Sequence, residues 1–184
     1  MIKLLYTAKR PKAGNRMALQ FDIENKEKKI MNMICKQMDY TSFPLLKPLW
    51  VKLVENNGSN STYFSHLFKT FTFEVHESLL QQKIASGCEV IFFVLLSKEG
   101  GEPGGFCAVN CNRELGEGEI EMLYVDERLR GSGYGKLLMS KALAYFDENG
   151  ISNLKLCVAF GNDKAIGFYQ KFGFYPFTID MLRK

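Results

Sequence analysis

No stretch of the 184 residues reaches the roughly 20 consecutive apolar positions that a membrane span needs. The N-terminus sets Lys3, Lys9 and Arg10 around an apolar run too short for the core of a signal peptide. Cysteine is sparse and unpatterned: Cys35, Cys88, Cys107, Cys111 and Cys157 are odd in number and contain no CxxC pair. That argues against a zinc site or a disulfide framework, and for small buried hydrophobes in a reducing compartment. The two histidines, His66 and His76, lie too far apart for an i, i+4 metal pair and have no cysteine near them, so they read as ordinary helix residues. The net charge of +4 is small and no dense block of Lys and Arg runs along a helix, which disfavours nucleic acid as a partner. Together these absences lead us to expect a cytoplasmic protein without metal, membrane or nucleic-acid partners.

What is present is ordinary globular material. Hydrophobic residues make 46% of the chain and charged residues 24%, close to the usual ~45–50% and ~25%, so neither disorder nor a fibrous class is indicated. Fifteen Phe and eight Tyr can fill a core, and the length suits one domain of about 100–200 residues. Residues 1–29 are expected to form an N-terminal arm or extra strand, and residues 30–184 a single domain.

Hydrophobic periodicity orders the chain. Ile30 to Met38 reads as a strand, with Asp39 or Thr41 placed to cap the next element. Leu45, Leu46, Leu49, Trp50 and Leu53 predict a helix over Phe43 to Val54, and Asn56 to Ser61 a loop. A second helix is expected from Tyr63 to Gly87 on the stripe Phe64, Phe68, Phe71, Val75 and Leu79. The period then changes to strands at Glu89 to Leu96, Phe106 to Asn112 and Glu119 to Val125, joined by glycine-rich turns. A helix from Gly135 to Glu148, a strand Asn153 to Phe160, a helix Asp163 to Phe172 and a last strand Phe177 to Leu182 complete the chain. The fold class is α+β with a mixed sheet. The C-terminal strand is one that can pair across subunits, making a homodimer an option.

The strongest local signal is Val125-Asp126-Glu127-Arg128-Leu129-Arg130-Gly131-Ser132-Gly133-Tyr134-Gly135-Lys136, where a strand ends in a glycine-rich turn that opens a helix. Glycines in alternation let backbone N–H groups approach a phosphate, and the helix N-terminus adds partial positive charge. Arg130 and Lys136 flank the turn. A P-loop is disfavoured, because Arg130 stands where its first glycine belongs and Leu137 where its Ser or Thr belongs. A dinucleotide fingerprint is disfavoured too, since Lys136 replaces its third glycine and the strand comes after antiparallel hairpins.

Here the sequence resembles a family. Arg130-x-x-Gly133-x-Gly135 matches the Q/R-x-x-G-x-G/A signature of the Gcn5-related N-acetyltransferases (GNAT). Asn162-x-x-Ala165-x-x-Phe168-Tyr169-x-x-x-Gly173-Phe174 is similar to the family's downstream element. The resemblance is good from about Val90 onward and loose from Ile30 to Gly87. It departs from the pattern at Glu127, which stands where a proline is usual.

The resemblance implies a mostly antiparallel central sheet flanked by helices and splayed between its two central parallel strands. It further implies acetyl-CoA as co-substrate and an amine of a small molecule or peptide as acceptor. The backbones of Leu123 and Val125 would pair with the pantetheine arm, and the amides of Arg130, Gly131, Ser132, Gly133, Tyr134, Gly135 and Lys136 would hold the pyrophosphate. Asn162 and Phe168 would also meet the cofactor, and Tyr169 would protonate the departing thiolate.

Chemistry adds its own demands. Removing a proton from an alkyl ammonium of pKa ~10.4 costs about 4 to 5 kcal/mol at pH 7 without a base. Glu119 and Glu121, two apart on their strand, would share one face with Leu123 and serve, while a backbone N–H near Leu123 or Tyr124 could polarise the thioester carbonyl. Against these roles stand plainer ones: solvent-facing glutamates, Asn162 as a helix cap, and Phe168, Tyr169 and Phe172 as an apolar stripe. Tyr63, Phe64, His66 and Phe68 are candidate lining for the acceptor, or core. A catalytically silent acyl-CoA-binding sensor or scaffold, using the same turn, is the alternative to the enzyme.

Overall fold

A computed structural model describes residues 33–183, so the expected arm over 1–29 lies outside the described residues. Strands β1 (Met33–Asp39), β2 (Glu89–Ser97), β3 (Gly105–Asn112), β4 (Glu117–Val125) and β5 (Asn153–Leu156) form one sheet in that order. The first three pairings are antiparallel, and β4 with β5 is parallel. Strands β2 and β3 are apolar almost throughout, because helices cover both faces. Helix α1 (Lys47–Asn60) leads through the short α2 (Ser65–Thr70) to α3 (Phe73–Ala85), and α4 (Tyr134–Glu148) and α5 (Asp163–Gln170) come after the sheet's fourth and fifth strands.

The sheet separates two cores. On one face Phe93, Cys107, Val109 and Ile120 pack with Leu138, Met139 and Phe146 of α4, and with Phe168 and Tyr169 of α5. On the other, Phe92, Phe106, Met122 and Tyr124 pack with Phe43, Trp50, Phe73 and Leu80. Each fully enclosed phenylalanine, such as Phe92 or Phe106, contributes about 1.5–3 kcal/mol by leaving water. Among the described residues no helix is long and apolar enough to cross a membrane.

Several expectations need correction. Residues Tyr40–Leu46 are a 3₁₀ helix, and α1 then runs through Asn56–Asn60 instead of breaking there. Ser59 Oγ and Asn60 Nδ2 donate to the carbonyls of Glu55 and Asn56 at 2.9 and 2.6 Å, so the polar residues satisfy the helix end. Gly58 serves close approach: a Cβ there would stand 3.2 Å from Phe68 Cβ. The expected second helix is two, because Phe71 is extended and Thr72 Oγ1 caps α3 by accepting from Val75 N–H at 3.3 Å.

The buried stripe of α3 is Phe73, His76 and Leu80, whereas Val75 and Leu79 face solvent. Two further corrections concern the C-terminal part. Strand β5 ends at Leu156, short of Phe160, and residues 177–182 form no strand, leaving Phe177 and Met181 exposed. The cysteine reading holds for Cys107 and Cys111, which are buried, but Cys157 is exposed.

Candidate active site

Strand β4 carries the features that shape the site. Its register with β3 pairs Met122 with Ala108 but Ile120 with Val109, so Glu121 is an extra residue, a β-bulge. Beside the bulge the parallel ladder to β5 stops at Ile120–Leu156, and β4 continues to Val125 without β5. The two parallel strands therefore part at Glu121.

The bulge also reverses the pleat. Ile120 packs on the α4 face while Met122, two residues on, packs on the α3 face. The expectation that Glu119, Glu121 and Leu123 share a face is thus wrong, since strict alternation fails across an extra residue. Leu123 and Val125 lie against the α4 core, and both glutamates meet Lys83 of α3.

Those carboxylates are tightly partnered. Lys83 Nζ donates to Glu119 Oε2 at 2.8 Å and to Glu121 Oε2 at 2.5 Å. Asn110 Nδ2 of β3 donates to the same Glu121 oxygen at 2.6 Å, and His76 Nε2 stands 3.6 Å from Oε1. Burial alone would raise the Glu121 carboxyl, but His76 and Lys83 outweigh it and hold it below the ordinary carboxylate value. Burial likewise would lower Lys83, yet the two glutamates keep it above its ordinary value. His76 was read from sequence as an ordinary helix residue, and it is buried beside Glu121 and Trp50. Its spacing from Phe73, Leu80 and Lys83 on one helical face was the available signal.

Past the gap, Asp126 organises the turn. Its carboxylate accepts from Arg128 N–H at 3.1 Å, Arg128 Nε at 2.7 Å and Lys52 Nζ at 2.8 Å. The Arg128 hydrogen bond, with Lys52 and against burial, holds its acid well below the usual carboxylate range. A group so depressed stabilises the fold above its unfolded value of about 3.9, and that contribution fades as pH falls through the folded value. Asp126→Ala is therefore expected to cost about 1–2 kcal/mol at pH 7 through the lost cap. Urea unfolding of both proteins should show the gap narrowing below pH ~4, and an equal gap at both pH values would contradict this account.

Beyond Asp126 lies the glycine turn. Gly131 and Gly133 adopt φ of +80° and +82°, which disfavour any side chain, and neither Cβ position has a neighbour within 4 Å. Gly133 is the N-cap of α4, and Leu137 N–H makes the first bond back to it at 3.0 Å. The first-turn amides of Tyr134, Gly135 and Lys136 consequently point out along the helix axis. Tyr134 turns its ring into the α4 core, Lys136 is exposed, and Ser132 is half-buried between the glycines. Arg130 is bent back, donating from Nε to Val125 O at 3.0 Å with its guanidinium over the Tyr124 ring.

Helix α5 lies alongside. Asn162 is buried, and its Oδ1 caps the helix by accepting from Ala165 N–H at 3.2 Å. Phe168 packs 3.5 Å from the position a Gly135 Cβ would take, and Tyr169 sits between the rings of Phe168 and Phe174. Burial raises the Tyr169 phenol above its ordinary value. The loops on either side of the gap are joined: Thr62 N–H donates to Phe160 O at 3.0 Å, and the Tyr63 ring stacks on Phe160. Of the other candidate acceptor residues, Phe68 lines a cavity of about 300 Å³ between α1 and α2 with Val54, Gly58 and Lys69. His66 is exposed and touches Phe64.

Comparison with known proteins agrees with this geometry. The sequence model of the acetyltransferase (GNAT) family matches residues 60–174. An uncharacterized N-acetyltransferase of Methanocaldococcus jannaschii is 38% identical over 90 residues, 45% of this chain and 38% of that protein. A mycothiol acetyltransferase of Thermobispora bispora is 32% identical over 65 residues, 35% of this chain and 22% of its own length. The chain thus matches well under half the length of these relatives. Among solved structures, an aminoglycoside N-acetyltransferase in complex with CoA superimposes with a TM-score of 0.58 at 16% identity, covering 83% of this chain and 94% of that one. A Gcn5-related N-acetyltransferase from Ralstonia eutropha gives 0.59 at 20% identity, over 83% and 97%.

Proposed function

The chain belongs to the acetyltransferase (GNAT) family, and from that premise we propose that it moves the acetyl group of acetyl-CoA to a primary amine of a small molecule or peptide by direct attack on the thioester. The observation that carries the reading is the parting of β4 from β5 at Glu121, next to a glycine turn that opens a helix. A strand with one unpaired side can take the pantetheine amides as a further strand, at Leu123 and Val125. The amides of residues 130–136 would receive the pyrophosphate, assisted by the dipole of α4. Phe168, packed on Gly135, would border the cofactor. Asn162 would act mainly through the helix that it caps.

In this scheme Glu121, with Glu119 behind it, takes the proton of the acceptor ammonium, and a β4 amide near Leu123 or Tyr124 polarises the carbonyl. Tyr169 returns a proton to the thiolate. Its raised value keeps it protonated but makes transfer to a thiolate of ordinary pKa ~8.5 uphill by more than about 2 kcal/mol. Tyr169→Phe should therefore leave acetyl-CoA affinity intact and lower kcat by roughly ten- to a hundredfold. Unchanged kcat would remove that assignment.

One observation favours the silent acyl-CoA-binding module instead: Glu121 Oε2 is already shared by Lys83 and Asn110. Calorimetry with CoA and acetyl-CoA, then thiol release across a panel of amines, separates the two. Binding with turnover supports the enzyme, binding without turnover the module, and no binding to folded protein defeats both.

A further inference from the structure

We propose that His76 is the positioning residue of Glu121, locked by the Trp50 indole in the tautomer whose Nε2–H faces the carboxylate. The inference rests on the reading of Glu121 as the acceptor-side base.

Trp50 Nε1 lies 2.8 Å from His76 Nδ1, and both residues are buried. An indole N–H can only donate, so Nδ1 must accept with its lone pair. The ring proton is then on Nε2, 3.6 Å from Glu121 Oε1. That distance is longer than a hydrogen bond and makes a charge–dipole contact, strengthened by poor solvation. Rings on three sides hold the imidazole: Phe43 at 5.9 Å, Trp50 at 5.9 Å and Phe71 at 5.3 Å between centroids.

The lock has a chemical consequence. His76 has no lone pair to offer at Nε2, and accepting a proton at Nδ1 would break a buried hydrogen bond. It is thereby excluded as the base and acts as a fixed donor. Glu121 is pinned by His76 on one oxygen and Asn110 on the other, both buried. Lys83, about a third exposed, is the partner an incoming ammonium can displace. The groups facing Glu121 are His76 and Lys83 from α3, Asn110 from β3, its strand neighbour Glu119, and the Cys157 thiol after β5.

Nuclear magnetic resonance tests this without an acceptor. In wild type, the imidazole ¹⁵N signals should report the tautomer with bare Nδ1 and the proton on Nε2. The Glu121 carboxyl ¹³C signal, assigned by its loss in Glu121→Gln, should titrate at higher pH in His76→Phe. It should return in His76→Gln, whose amide can accept from Trp50 and donate to Glu121. A proton on Nδ1, or identical Glu121 titration in folded His76→Phe, overturns the proposal. If His76→Phe fails to fold, Trp50→Phe decides: the His76 Nδ1 signal should lose the signature of an accepted hydrogen bond, and an unchanged Nδ1 signal overturns it. CoA calorimetry on wild type, run alongside, separately judges the family reading on which Glu121's role rests.

Discussion

Gly133→Val should weaken CoA binding at least about a hundredfold while the protein stays folded. The position has φ of +82° and ψ of −3°, and nothing lies within 4 Å of the Cβ it would acquire. In the free protein the cost is therefore conformational, about 1–2 kcal/mol for a left-handed β-branched residue. With CoA the added side chain stands where phosphate oxygens would approach the amides. Losing two charge-assisted contacts of ~1.5 kcal/mol or more each accounts for about 3 kcal/mol, hence two orders of magnitude. Calorimetry measures the affinity and thermal melting the fold; undiminished affinity in the variant would dismantle the phosphate site.

Glu121→Gln should lower kcat by about a hundredfold or more, with acetyl-CoA affinity preserved. Because Glu121 is held below the ordinary carboxylate value, its carboxylate persists as pH falls, so its own acid limb in kcat/KM should lie below the ordinary glutamate value of ~4.3. Whatever rise in kcat/KM appears between neutral and alkaline pH then belongs to deprotonation of the acceptor amine. The same shift makes the folded state more stable above ~4.3, a contribution lost as acid titrates the folded carboxyl. The glutamine also presents an amide N–H₂ to Lys83, Asn110 or His76, all donors, whichever way it turns. A modest drop in melting temperature should accompany the kinetic loss. A variant with wild-type kcat would return Glu121 to a structural role.

Much of this was legible in the residues, and the failures share a cause. Strands β2 to β4, the glycine turn and the starts of α4 and α5 stood out because apolar runs were punctuated by Gly and Asn that truly end elements. Asn56–Asn60 looked like such punctuation, yet its side chains bond back to helical carbonyls, and spacing cannot distinguish the two uses. The phase of α3 was misread by one position because a Thr72 cap restarted the count. The stretch Phe177 to Leu182 suggested a strand, but a strand exists only when it pairs, and these residues pair with none of the described strands. For the site, pleat counting placed both glutamates correctly on β4 and failed on Leu123, since one unpaired residue intervenes. The sequence marked His76 only by its place on the helical face of Phe73 and Leu80, because its importance comes from Trp50 and Glu121, which are far away along the chain.

That single supernumerary residue makes β4 a measured length. Excise one position between Ile120 and Met122, and the strand would regain unbroken pairing with β3. Ile120 and Met122 would become neighbours in plain alternation, each keeping its present face, and what would be lost is the Glu121 carboxylate together with the bend that sets it beside Lys83. The ribbon would be more regular and the fork between its parallel strands harder to open: here an imperfection in the weave leaves the opening that a cofactor would fill.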